Sequence, residues 1–365
     1  MSEKSKKDKK IRYIIIFFVF LLLGGLAVYG FAVYGNYQMN KIQELSFKEC
    51  LNYTLKDNDD AFITVGIIKD GQATYTVYGK DGVEMPQVAY TYEIGSLTKT
   101  FTAALIIKAI NEGKINLYDK VDKYLDLPEG ITYPTIKQLL SHTSGYKAYY
   151  FEFPMIGNFI SKKNDFYGIT EDQLFKKLSK ISMTSETQKF KYSNFGYATL
   201  GLILEAVYDV DYTTLVNVFA SDELGLENTH IADESGDLKN YWDWKVDDVY
   251  LSAGGMTSTI LDMLDYAQLQ LSDDGIFASC HESFSVINAS TDAYKSMEIN
   301  MDEIGAAWQI DRENDIIWHN GGTGDFNCYL GFQPENEMAV VILSNLAPNY
   351  RIPATVLGVK IMSNK

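Results

Sequence analysis

The strand-forming runs of this chain stand far apart, near residue 65 and beyond residue 305, with a long helical stretch between them. Residues 61–68 and 73–79 flank a Lys69-Asp70-Gly71-Gln72 turn and predict a β-hairpin. Near the other end, 305–310, 316–319, 326–332 and 338–345 alternate or run apolar between turn residues, which predicts an antiparallel sheet. Helical patterns dominate the middle: 136–145 ending in a polar, Gly-terminated loop, 170–181, 197–207 and 213–224. A helix through Leu261–Leu271, capped by Thr259 or Ser258, and a last one from Pro353 follow. The order β, α-rich middle, β, α predicts an α+β fold. One antiparallel sheet flanked by helices is built from 60–115 and 246–365, and 116–245 forms an inserted all-α domain.

Within that framework, Ser96-Leu97-Thr98-Lys99 leads into the apolar run Phe101, Ala103, Ala104, Leu105, Ile106 and Ile107. The run predicts a buried helix, closed by Gly113. Residues three apart share a helix face, so the Ser96 hydroxyl and the Lys99 amine can meet. A serine becomes nucleophilic when a neighbouring base takes its proton, and a desolvated lysine can be that base. A helix start also offers free N–H groups and a positive dipole end, which suit a developing oxyanion. Ser-x-x-Lys alone is a common coincidence; further motifs must support it.

The 365 residues carry a formal net charge of −16; residues 1–12 hold a local +4, so the remainder carries −20. A body that acidic argues against nucleic acid and against adhesion to anionic lipid. Cys50, Cys280 and Cys328 are too few for a disulfide framework, and His142, His230, His281 and His319 are isolated. No zinc motif can be built from them, and neither a metal nor another cofactor is expected.

From Tyr13 to Asn40 no residue is charged, and the stretch opens with ten consecutive apolar residues, Ile14–Leu23. That is long enough to span a bilayer, which takes roughly 20 residues. The expected layout is a basic cytoplasmic tail at 1–12, a transmembrane anchor at 13–36, a tether at 37–59 and an extracytoplasmic body. A cleaved signal peptide, with small residues at Gly25-Leu26-Ala27, is the competing reading. Residues 41–60 read as a polar tether or an amphipathic lead-in.

Three motifs now stand in order: Ser96-Leu97-Thr98-Lys99, Tyr192-Ser193-Asn194 and His319-Asn320-Gly321. With Leu139–Gly145 and Ala253–Thr259, they make the chain resemble the serine β-lactamase/penicillin-binding-protein superfamily. The likeness is to its class C-like branch, with D-alanyl-D-alanine carboxypeptidase and esterase relatives. It implies that Ser96 forms an acyl-enzyme, that Lys99 takes or relays its proton, and that Tyr192 is a phenolate-like base held by Lys99. Asn194 would hold the substrate amide or the lysine head. The N–H groups of Ser96 and Gly322, next after His319-x-Gly321, would form the oxyanion hole. His319 stands where many relatives carry lysine, so it would offer a titrating rather than a permanent charge to a substrate carboxylate.

The implied enzyme is a membrane-anchored, extracytoplasmic serine hydrolase acting on D-amino-acid peptides or D-alanyl esters of the cell wall. A β-lactamase, a small-ester esterase, and a peptidase for a secreted natural product are alternatives within the enzyme class. A non-catalytic wall-binding or sensor protein is the alternative outside it. Asp325, beside the Gly322 turn, would favour an amine-bearing substrate. Other residues carry plainer expectations. His142 reads as a loop residue tying backbone groups together, and His230 and His281 as surface residues. Gly254-Gly255 reads as a tight turn. Tyr241, Trp242 and Trp244 line the cleft or fill core, and Tyr149–Phe153 is a rim or core patch.

Overall fold

A computed structural model describes residues 41–363 except 162, 163, 185, 232–235, 273 and 274. The basic tail and the expected anchor lie outside the described residues; among the described ones no helix is long and apolar enough to cross a membrane. Two compact units separate. One joins the described residues 41–45 with 291–298, the latter holding the short helix Asp292–Ser296. The other, Ser46–Ser290 with Ile299–Lys365, contains everything that follows.

The strands are β1 (Ile63–Lys69), β2 (Gln72–Tyr78), β3 (Glu84–Met85), β4 (Tyr92–Glu93), β5 (His230–Ile231), β6 (Met256–Ser258), β7 (Ser285–Val286), β8 (Glu303–Ile304), β9 (Gln309–Asp311), β10 (Ile316–Gly322), β11 (Asn327–Gln333) and β12 (Met338–Ser344). Among the described residues they form a nine-stranded sheet, β3-β2-β1-β12-β11-β10-β9-β8-β7, and a small one, β4-β6-β5. Every pairing among these strands is antiparallel, and β1 meets β12 with Val65 opposite Ile342. The two ends of the body thus share one sheet, as the separated strand runs require. The β1–β2 turn closes with Lys69 opposite Gln72, and Asp70 and Gly71 both take positive φ, the backbone a two-residue hairpin needs.

One expected strand is not there. Residues 305–308 form a turn between β8 and β9, and only 309 and 310 are strand: Gly305 N–H donates to Trp308 O, and Ala307 takes φ +72°. The turn is held because Ala306 N–H donates to Cys280 O and Ala307 N–H to Leu140 O, contacts no local pattern announces.

Helices pack on both ends of this framework. Thr98–Asn111 is buried from Thr98 through Ile107, so it is apolar nearly all round and runs through the interior. Gly113, at φ +72°, follows its end. The helix Ile260–Gln270 starts at Thr259, whose side chain accepts from Asp262 N–H, and lies against Gly66 of β1. The last helix, Ala354–Met362, lies across Tyr329 of β11 at Gly358. Phe47–Leu55, in the stretch read as tether or lead-in, is a helix with a Ser46–Glu49 capping box and buried Cys50, Leu51 and Leu55. The three cysteines are buried and not joined in a disulfide. His230 is exposed, but His281 is not the surface residue expected. Its ring packs on Trp308 and Phe332, and Nε2 meets Gln270 Oε1 at 2.9 Å.

Candidate active site

Strand β4 delivers the chain to Ile94, where a 3₁₀ turn over Gly95–Leu97 feeds directly into the Thr98–Asn111 helix. Gly95 sits at φ +47°, and a Cβ there would come 2.7 Å from the Gly322 nitrogen. Both facts demand glycine, and the second brings Gly322 beside the Ser96 turn. Gly321 is equally constrained: Ile94 O occupies the space of its missing Cβ, and Cys328 Sγ–H donates to that same carbonyl at 3.0 Å. Ser96 remains partly exposed.

Lys99 Nζ lies 3.0 Å from Ser96 Oγ and donates to Ala253 O at 2.5 Å. The residue is fully buried, and the rings of Tyr192 and Tyr197 stand 4.9 and 5.7 Å from the amine. Desolvation alone drives Lys99 well below the ordinary lysine range, so the neutral amine is favoured. The Ala253–Thr259 motif therefore seats the amine: Ala253 supplies the acceptor, and Met256 N–H donates to Thr98 Oγ1 at 3.1 Å.

Tyr192 approaches from the other side, its side chain hydrogen-bonded to Ser96. The residue is half-exposed, while its hydroxyl end is enclosed. Burial pushes the phenol above its ordinary range, against the smaller pull of the Ser96 bond. Desolvation penalises both charged forms, so it works against the phenolate expected at Tyr192 and against the ammonium of Lys99. Ser193, not Asn194, caps the helix Asn194–Tyr208, its Oγ accepting from Gly196 N–H at 2.9 Å. Asn194 is the first residue of that helix and half-buried.

His319, on β10, is completely buried, with its ring 6.5 Å from that of Tyr192. Its Nδ1 pairs with Asn320 O at 2.6 Å, so Nδ1 carries the hydrogen. Burial pushes its pKa down to about 3. The titrating charge expected for a substrate carboxylate is absent near neutral pH. His142 meets the expectation of a tying residue: Ser193 N–H donates to its Nδ1 at 3.1 Å.

Glu93 was not singled out by its sequence, although a lone acid between Tyr92 and Ile94 just ahead of the nucleophile is a readable signal. It is buried, accepting from Thr323 Oγ1 and from Trp242 N–H. Trp242 stands over Gly324 in the β10–β11 turn, on the cleft side of the two earlier alternatives, while Asp325 is exposed nearby. In the Tyr149–Phe153 patch Tyr149, Phe151 and Phe153 are exposed rather than core, and a groove of about 450 Å³ runs between Tyr149, Phe159 and Phe166.

The arrangement sets a buried amine of lowered pKa beside the Ser96 hydroxyl, with Gly322 next to the Ser96 turn. Comparison with known proteins then adds ancestry. The family model described as Beta-lactamase matches residues 61–357. Protein flp of Staphylococcus aureus (strain MRSA252) is 27% identical over 305 residues, covering 75% of this chain and 56% of that protein. The chain thus spans little more than half the length of such curated relatives. A beta-lactamase of Pseudomonas fluorescens is 23% identical over 332 residues, covering 80% of this chain and 90% of its own. Among solved structures, the octameric penicillin-binding protein homologue from Pyrococcus abyssi superposes with a TM-score of 0.67 at 20% identity, over 83% of this chain and 73% of that one. The beta-lactamase/D-alanine carboxypeptidase from Yersinia pestis gives 0.66 at 19%, over 90% and 98%. At such identities the structural likeness speaks for the fold.

Proposed function

The chain belongs to the beta-lactamase family, and from that premise we propose that it is a serine hydrolase working through an acyl-enzyme on Ser96. The observation that carries this reading is the 3.0 Å approach of the fully buried Lys99 amine to Ser96 Oγ, where desolvation lowers the amine's pKa. In acylation the amine takes the serine proton as Oγ attacks a carbonyl carbon. The oxyanion that forms is met by the N–H groups of Ser96 and Gly322, donors worth a few kcal/mol each (about 3 is typical). Tyr192 keeps its proton at rest and passes it toward the leaving group, recovering one from Lys99. Water then repeats the sequence on the ester of Ser96. Asn194, at the mouth of the same loop, would orient the substrate amide.

The substrate class we favour is a D-alanyl ester of the cell wall, ahead of a D-amino-acid peptide. His319 is neutral, so a free carboxylate of a peptide or a penicillin finds no charge there. Asp325, exposed beside the Gly322 turn, suits the ammonium of an aminoacyl ester. A β-lactamase or small-ester esterase is the second reading, and a non-catalytic wall sensor the rival of another class. The rest of the layout is part of the same proposal: an anchor at 13–36 in the cell membrane, an extracytoplasmic body, and a division into the domain 60–115 plus 246–365 and the helical domain 116–245. The test is covalent labelling of the purified full chain, by phosphonylation with a fluorophosphonate and by acylation with a fluorescent penicillin, beside Ser96→Ala. Turnover is then compared on D-alanylated teichoic acid, D-Ala-D-Ala peptides, nitrocefin and simple esters. Labelling that survives Ser96→Ala, or none at all, removes the hydrolase reading.

A further inference from the structure

Three residues ahead of Ser96, the Glu93 side chain is 4% exposed and joins two segments distant in sequence. Its Oε2 accepts from Thr323 Oγ1 at 2.5 Å and its Oε1 from Trp242 N–H at 2.6 Å. Thr323 directly follows Gly322, and its N–H donates to Phe326 O at 2.9 Å, closing the β10–β11 turn. A Cβ on Gly324 would fall 2.6 Å from Trp242 Nε1, so the loop and the turn also press on each other. A buried carboxylate is costly to desolvate, and here both of its oxygens serve the walls of the site.

We propose that Glu93 is a positioning residue that latches the Gly322–Thr323 backbone and the Trp242 wall to the Ser96 segment, and that its protonation reverses the Thr323 hydrogen bond. The proposal rests on the reading of Ser96 as nucleophile and Gly322 as oxyanion donor. As a carboxylate, Glu93 accepts from both partners. Once protonated on Oε2, it donates to Thr323 Oγ1, whose own hydrogen must turn away, while Oε1 still holds Trp242 N–H. Both contacts persist and one changes direction. Burial raises the Glu93 pKa to about 7, the two hydrogen bonds oppose that rise, and Asp325 of the same turn adds to it. Among the described residues, Tyr241 and Asp237 of the Trp242 loop are further titratable groups around it. Tyr92 lies beside it on β4, and exposed His230 one strand beyond its β6 partner Thr257. The reversal therefore falls in the neutral range.

Wild type, Glu93→Gln and Glu93→Ala are compared in the full chain with p-nitrophenyl acetate from mildly acid to mildly alkaline pH, and by amide hydrogen exchange over the Trp242 and Thr323 segments. Glutamine mimics the protonated acid, donating to Thr323 and accepting from Trp242. Its pH profile should be flat where wild type bends near 7, with exchange protection retained. Glu93→Ala should lose kcat by about 10²-fold with little change in KM, and both segments should exchange faster together. A wild-type bend kept by Glu93→Gln, or wild-type kcat in Glu93→Ala, overturns the proposal. If wild type neither turns over the ester nor labels at Ser96, yet Glu93→Ala releases both segments together, the latch stands and the hydrolase reading falls.

Discussion

The Ser193 backbone N–H donates to His142 Nδ1 at 3.1 Å, and this one bond joins two motifs fifty-one positions apart. It requires Nδ1 to be the bare nitrogen, so the hydrogen of the neutral ring sits on Nε2. The His142 ring then lies 4.4 Å from that of Tyr192, forming the floor under the phenol. Burial holds His142 well below the ordinary histidine range, so the neutral ring that accepts from Ser193 is favoured.

His142 takes φ +53°, a conformation that asparagine tolerates better than alanine. His142→Ala should destabilise the fold by about 1–3 kcal/mol through the orphaned Ser193 N–H. Ester turnover should fall by about 10²-fold as Tyr192 loses its floor. His142→Asn should retain more of the stability. Thermal unfolding and kcat, measured side by side, check the order.

Lys99→Met should abolish detectable acylation, and Tyr192→Phe should reduce turnover by at least about 10²-fold, both in folded protein. Stability supplies an independent check. The native pKa of Lys99 lies below its unfolded value, so the unfolded chain binds more protons in the window between them. Wild-type stability should therefore rise with pH across that window, up to about 10.4, and Lys99→Met should flatten the rise. Denaturant titrations at several pH values read it directly.

His319 offers the acid-side counterpart. Its folded pKa of about 3 lies below the unfolded 6.5, so its contribution is present above 6.5 and lost as pH falls toward 3. The loss is on the order of 5 kcal/mol for a fully buried ring. His319→Gln should unfold less readily in acid than wild type. His319→Lys would bury an ammonium beside Lys99, and we expect it to unfold at lower denaturant concentration rather than gain a preference for carboxylate substrates.

Gly95→Ala should fail in two ways at once. The backbone at φ +47° resists a side chain, and the new Cβ would press on the Gly322 nitrogen. We expect loss of a few kcal/mol of stability (about 1–3 for the backbone alone) and no labelling of Ser96 by fluorophosphonate. A gel-based labelling assay on the folded fraction decides it.

Much of this was written locally. The Asp70-Gly71 turn, the cap at Thr259 and the buried run after Lys99 each follow from a few adjacent residues, and each is found where its residues predict it. Separated strand runs were enough to predict one sheet built from both ends. The spacing of Ser96 and Lys99 on consecutive turns was enough to bring hydroxyl and amine together.

Charge was not written locally. Whether Lys99, Tyr192 and His319 are ionised depends on how completely distant segments exclude water from them, and that is a property of packing rather than of residue type. The same holds for Glu93, which only the arrival of Thr323 and Trp242 turns into a bridge, and for Ala306–Ala307, bent into a turn by Cys280 and Leu140. Sequence alone determined which chemical groups the chain possesses and which neighbours share a turn of helix. Tertiary structure decided their protonation and their partners, because desolvation and long-range hydrogen bonds exist only once the chain has closed around them.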